Sequence, residues 1–158
     1  MKKLRLYLDT SVWNFYYADD APEKKEVTRC FFKNLKSGHY HIYSSSVVVR
    51  EIENADKKTA SDLVSLIKMY PPTMLDVTGE IDELADVYIA EAVVPEKKRD
   101  DALHIAIATV YEMDALVSWN YKHLANLFKK EKVRAVSILQ GYLKELEMIT
   151  HMEVIDDE

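Results

Sequence analysis

Leu4, Leu6 and Leu8 alternate with Arg5 and Tyr7, a period of two that predicts a strand. The run stops at Asp9-Thr10-Ser11, whose side chains favour turns and helix starts. The chain therefore opens as strand, turn and helix. From residue 23 to residue 36 the apolar spacing becomes that of a helix, which Ser37-Gly38 closes. His41-Ile42-Tyr43 reads as a short strand leading into Ser44-Ser45-Ser46, a capping run for a helix that carries Val47, Val48, Glu51, Ile52 and Ala55. Leu63, Leu66, Ile67 and Tyr70 keep helical spacing over residues 59 to 70, until Pro71-Pro72 forbids continuation.

Met74 to Val77 predicts the next strand. Ile81, Leu84, Ala85, Tyr88 and Ala92 then share one face of a helix over residues 80 to 93, ended by Pro95. Asp100 or Asp101 is expected to cap the following helix. Its Leu103, Ile105, Ala106, Ile107, Val110 and Tyr111 make it so apolar that it belongs in the middle of the fold. Ala115 to Ser118 is a strand, residues 121 to 144 are mostly helical, and Met148-Ile149 is a weak final strand. Strands spaced by helices predict an α/β chain, with a central parallel sheet of about five strands between two helical layers. In such sheets function gathers at the carboxyl ends of the strands.

Composition narrows the function. The 158 residues read as a single domain over residues 1–155, with Asp156-Asp157-Glu158 as a frayed acidic tail. Gly38, Gly79 and Gly141 stand alone, so neither G-x-G-x-x-G nor G-x-x-x-x-G-K-[ST] can be written, which excludes the glycine-loop nucleotide binders. A formal charge of -6 argues against a protein that coats DNA with a basic surface. It leaves room for a nuclease, because a metal held by carboxylates makes its own local positive site. Cys30, the one cysteine, forms neither an internal disulfide nor a cysteine-rich zinc site, and its place in Thr28-Arg29-Cys30-Phe31-Phe32 predicts burial. Met1-Lys2-Lys3 is followed by no long apolar segment, and no stretch approaches the ~20 apolar residues of a membrane span, so a cytoplasmic protein with no membrane partner is expected.

Four polar residues fall at or near the ends of elements where a parallel sheet can gather them. Asp9 closes the first strand, Glu51 lies one to two turns into the helix after the second, Asp101 opens the apolar helix, and Asn120 follows Leu116-Val117-Ser118. The topology can bring all of them to one rim. Two carboxylates ~4 Å apart repel by roughly 4 kcal/mol at an effective dielectric near 20, so such a cluster needs a cation or a proton. Mg²⁺ or Mn²⁺ meets that need with hard oxygen ligands and retained waters. Position alone leaves plainer readings open: a turn former at Asp9, helix caps at Asp100, Asp101 and Asn120, and a solvated residue at Glu51.

The segments Leu8-Asp9-Thr10-Ser11-Val12-Trp13, Val47-Val48-Val49-Arg50-Glu51-Ile52, Asp101-Ala102-Leu103-His104-Ile105-Ala106-Ile107-Ala108 and Leu116-Val117-Ser118-Trp119-Asn120-Tyr121-Lys122-His123 resemble, in this order, the signature blocks of the PIN domain family. That family includes the VapC-type toxins of toxin-antitoxin pairs. The resemblance spans roughly residues 4 to 126. It implies a three-layer PIN-like fold and a Mg²⁺- or Mn²⁺-dependent endoribonuclease, in which a metal-activated water attacks a phosphodiester. An antitoxin protein and a homodimer are the partners it implies. Asp9, Glu51 and Asp101 match the family's acids and would hold the metal or orient its water. Thr10 or Ser11, and Ser118, match hydroxyls beside the site.

The chain departs from that pattern at Asn120, where many relatives carry Asp, which removes one negative charge and favours a single metal. Trp119 stands where relatives often have arginine. A PIN-fold module that binds nucleic acid or protein but no longer cuts is therefore the alternative. His104 reads more readily as an imidazole bonded inside the fold than as a catalytic base, and His123 as surface or substrate contact. Arg50 and Lys122 adjoin the site and are the candidates for backbone contact, while the other basic runs read as solvated faces. Tyr16 and Tyr17 could stack on bases or pack in the core. A receiver-type phosphoacceptor lacks its early acid pair here, and a D-x-D-x-T phosphatase lacks its second Asp.

Overall fold

The alternation from Leu4 to Leu8 becomes strand β1 (Leu4–Leu8), which buries Leu6 and Leu8 on one face of a sheet and Tyr7 on the other. A computed structural model of the chain describes residues 2–120 and 127–150. In it β1 is joined by β2 (Tyr40–Ser45), β3 (Thr73–Leu75), β4 (Ala115–Val117) and β5 (Glu147–Ile149). All pair in parallel, in the order β3-β2-β1-β4-β5.

Helices α1 (Thr10–Phe15) and α2 (Pro22–Asn34) connect β1 to β2, and α3 (Ser46–Glu53) and α4 (Lys57–Met69) connect β2 to β3. The chain then returns across the sheet through α5 (Gly79–Ala90) and α6 (Arg99–Val110) to β4, and α7 (Leu127–Leu139) lies between β4 and β5. Reversing the direction of travel puts the later helices on the opposite face, as right-handed crossovers require. Trp13, Phe31, Phe32, Val48, Leu63 and Leu66 accordingly pack on Leu6, Leu8, Ile42 and Val117. Ile81, Leu84, Tyr88, Ile105, Ile107 and Val133 pack on Tyr7, Tyr43, Leu116 and Met148. The result is the three-layer α/β arrangement.

Several local expectations change. Cys30 is exposed: Thr28, Phe31 and Phe32, spaced i, i+3 and i+4, take the inward face of α2 and leave the sulfur on the solvent side. Neither Asp100 nor Asp101 caps α6. A 3₁₀ turn over Glu96–Lys98 runs straight into the helix, so Lys98 takes the cap position and both acids fall in the first turn, where the helix dipole favours them. The third strand ends at Leu75 rather than Val77, and α7 stops at Leu139, before Gly141 at φ 93°. The expected helical residues 121–126 and the acidic tail lie outside the described residues. No helix among the described residues is long and apolar enough to cross a membrane.

Asp114 fastens the rim of the sheet opposite the carboxyl ends. Its main-chain N–H donates to Arg5 O (2.9 Å), while its Oδ2 accepts the Arg5 N–H (2.7 Å) and its Oδ1 the Lys144 ammonium (2.9 Å). Desolvation works against the charge, but these donors outweigh it and hold the carboxyl below the usual range. Asp114→Ala should therefore lower stability in urea unfolding at pH 7 by about 1.5–3 kcal/mol. Because the folded-state pKa is depressed, that contribution is full above ~3.9 and fades as pH falls through the folded value, so wild type and variant should converge in acid.

Candidate functional site

With β2 and β3 on one side of β1 and β4 and β5 on the other, the strand order reverses between β1 and β4. The crevice outside their carboxyl ends is where open α/β sheets bind ligands. Asp9 follows β1 and Ser118 follows β4, and the Asp9 N–H donates to Val117 O (3.2 Å), which ties the two ends together. The Asp9 side chain is 1% exposed.

Asp9 occupies the cap position of α1, yet its side chain makes no capping bond. Instead Oδ1 accepts the Ser11 hydroxyl (2.5 Å) and Oδ2 the Ser118 hydroxyl (2.5 Å). Ser11 Oγ in turn accepts the Trp119 N–H and Ser118 Oγ the Asn120 N–H, both at 2.9 Å. The turn-and-cap reading of Asp9 thus accounts for its backbone but not for its carboxyl group. Burial pushes that group above the usual carboxylate range, and the Asp101 charge adds to the push, against the opposing influence of His104 and the two hydroxyls.

Glu51 on α3 is held from two sides. Its Oε1 accepts the Thr10 hydroxyl (2.8 Å) and lies 2.7 Å from His104 Nε2. His104 on α6 is 2% exposed, and its Nδ1 lies 2.7 Å from the Tyr7 hydroxyl, which is 2.7 Å from Ser45 Oγ. Burial disfavours the imidazolium, but the bond to Glu51 and the charges of Asp9, Glu51 and Asp101 outweigh it and raise His104 above its ordinary value. Desolvation likewise pushes Glu51 up, and His104, Thr10 and Arg50 more than reverse it. Burial keeps Tyr7 protonated. One ring nitrogen of His104 thus faces Glu51 and the other the Tyr7 hydroxyl, so a proton on Nε2 is donated to Glu51, while Nδ1 donates to the Tyr7 oxygen when protonated and accepts the Tyr7 proton when not.

Asp101 stands one turn before His104 on α6. Asp9, Glu51, Asp101 and Asn120 all line one pocket of about 220 Å³, with Thr10, Ser11 and His104. The plainer readings do not place four such groups in one cavity. Asn14 and Phe15 also line it and escaped the sequence reading. Their signal was present: Thr10 and Asn14, and Ser11 and Phe15, are i, i+4 pairs on the helix that Asp9 starts. Arg50 is not in the pocket wall; its guanidinium pairs with Asp100 across α3 and α6. Lys122 and His123 lie outside the described residues. Tyr16 packs edge-on against Phe32 at 5.6 Å with Arg29 over its ring at 4.6 Å, and Tyr17 sits beside Tyr16, so both belong to the edge of the core.

The donor chemistry suits a hard divalent cation: three carboxylates and an amide oxygen in one pocket, one of the carboxylates buried at a cost that a cation would offset. Among the described residues, however, no three His, Cys, Asp or Glu side chains are drawn close enough to grip an ion between them. The Asp9 oxygens and Glu51 Oε1 are turned to protein donors instead.

No family model and no curated protein matches the chain. Solved structures do. VapBC2 from Rickettsia felis, bound to a DNA fragment from their promoter, superposes with a TM-score of 0.57 at 16% identity, over 93% of this chain and 98% of that one. VapC20 from Mycobacterium tuberculosis, a sarcin-ricin loop cleaving toxin, gives 0.55 at 14% identity, over 75% of this chain and 92% of that one. The chain has the PIN-like fold of the VapC structures. In this PIN-like fold the pocket lies at the carboxyl ends of β1 and β4, and His104 braces its Glu51 side. His104→Leu should fill the space but strip Glu51 and Tyr7 of a partner, lowering stability by about 2–4 kcal/mol in urea unfolding. Combined with Tyr7→Phe, the loss should fall short of the sum of the single losses by at least about 0.5 kcal/mol.

Proposed function

We propose that this pocket is the active site of a Mg²⁺- or Mn²⁺-dependent endoribonuclease, and that the chain is the toxin of a type II toxin-antitoxin pair. The observation that carries the reading is the convergence of Asp9, Glu51, Asp101 and Asn120 on one pocket at the point where the strand order reverses. The likeness to VapC20 supports RNA as substrate, and the likeness to VapBC2 supports an antitoxin partner.

Asp9, Asp101 and Glu51, with the Asn120 amide oxygen, are the groups that would hold the cation. When bound it supplies Lewis-acid polarisation of the phosphodiester and a water of lowered pKa. The protein's own residues do the aiming. Ser11 and Ser118 fix both oxygens of Asp9, and Thr10 and His104 fix Glu51. Thr10 and Ser118, the hydroxyls that the resemblance sets beside the site, serve substrate binding in this reading through the acids they hold. Asn120 contributes a neutral oxygen, so the site has charge for one ion more readily than for two. Arg50 is a basic group close to Glu51, and an approaching phosphate would compete with Asp100 for it.

RNA cleavage should require Mg²⁺ or Mn²⁺, stop with a chelator, and fall by about a hundredfold or more in Asp9→Asn. Equal cleavage by the variant would overturn the reading. Calorimetric titration with Mn²⁺ addresses the alternative: a module that no longer cuts should bind the ion weakly and leave RNA intact.

A further inference from the structure

Phe15 is half-buried and lines the acid pocket beside Asn14, whose side chain is exposed. Behind Phe15 stands Trp119, its ring centroid 5.8 Å away and itself 6% exposed. Trp119 cannot easily swing, because its Nε1 donates to Thr28 Oγ1 (2.9 Å) and its backbone N–H to Ser11 Oγ (2.9 Å). The Lys24 ammonium lies 5.2 Å from the Phe15 centroid and 5.6 Å from that of Trp119. The wall of the pocket thus carries a braced aromatic ring with a side-chain amide next to it, and a cation stands over that ring from outside the wall.

Those are the parts from which single-stranded nucleic-acid sites are made: a ring for stacking a base, a positive charge for the backbone, and an amide with both donor and acceptor for a base edge. We infer that Phe15, Lys24 and Asn14 form a nucleotide subsite, in which a base of single-stranded RNA next to the cleaved phosphodiester stacks on Phe15, Lys24 meets the neighbouring phosphate, and Asn14 contacts the base edge. The inference rests on the reading of the pocket as a nuclease site. It adds which side of the pocket the substrate enters and which residues grip it. The anchoring of Trp119 gives the shelf its function: a ring held from behind loses little freedom when a base settles on it. Lys24 also answers an electrostatic need, since the acids next door repel an incoming phosphate.

Fluorescence anisotropy of labelled U6 and A6 oligoribonucleotides on an Asp9→Asn background, which removes cleavage, tests this. Phe15→Leu, which keeps apolar bulk without the ring, should weaken binding by about tenfold or more, whereas Phe15→Tyr should stay within about threefold. Lys24→Gln should flatten the slope of log affinity against log salt by about 0.7. Oligomers that bind Phe15→Leu as tightly as the parent background, or fail to bind the parent at all, would overturn the subsite and leave the shelf to a protein segment. Should Phe15→Leu fail to fold, the salt slope of the surface variant Lys24→Gln decides, an unchanged slope counting against the inference. Failure here is separable from failure of the nuclease reading: unchanged binding leaves Asp9-dependent cleavage standing, and cleavage indifferent to Asp9 removes the reaction while the binding data remain readable.

Discussion

The rest of the site depends on one buried carboxyl group. Placing the Asp9 carboxylate at 1% exposure costs several kcal/mol in desolvation, and two neutral hydroxyls recover only part of it. Those hydroxyls come from different places, Ser11 from the helix after β1 and Ser118 from the end of β4. Satisfying the carboxylate therefore fixes how the two strand ends sit. His104 offsets a further part of the cost but leaves the group above the usual carboxylate range, which is why a cation in the pocket is physically welcome.

Glu51 solves the same problem differently. It is only partly buried, with 32% of its side chain exposed, and it takes its compensation directly from the His104 ring and the Thr10 hydroxyl. Two carboxylates in one pocket are thereby pushed in opposite directions, Asp9 up by burial and Glu51 down by His104. Opposite shifts on two carboxylates in one pocket are a pattern that environments at reactive sites produce. His104 reaches further, through Tyr7 to Ser45, so that β1, β2, α3 and α6 all bear on the orientation of Glu51. Strain in any of these elements would be felt at the pocket.

The order of elements was legible in the sequence because period-two and helical spacings are local properties, as in Leu4 to Leu8 and in Ile81, Leu84, Ala85 and Tyr88. The residues at strand ends were legible too, since parallel topology collects them whatever their spacing. What escaped is settled by tertiary packing. Cys30 faces solvent although its neighbours are apolar, because a short apolar run does not fix which face of α2 each residue takes. The capping expectation for Asp100 and Asp101 failed because the preceding 3₁₀ turn shifts the start of α6 upstream. The salt bridge that holds Arg50 to Asp100 joins residues fifty positions apart, and no local pattern reveals it. Phe15, unlike its aromatic neighbours Tyr16 and Tyr17, stands i, i+4 to Ser11 and so shares the pocket side of α1.

The departures from the PIN pattern become intelligible together. An arginine at position 119 would put a charge next to the acids, whereas Trp119 turns into the fold, bonds Thr28 and supports Phe15. The positive charge on that side is carried instead by Lys24, which α2 brings over both rings. An ammonium on a long flexible stem meets a phosphate as a point charge, without the fixed fork of a guanidinium. Asn120, adjacent in sequence, lowers the negative charge of the pocket by one. A less acidic pocket faced by a movable cation would need less positive charge to admit the proposed phosphodiester, so a formal charge of -6 on the chain does not stand against that reading.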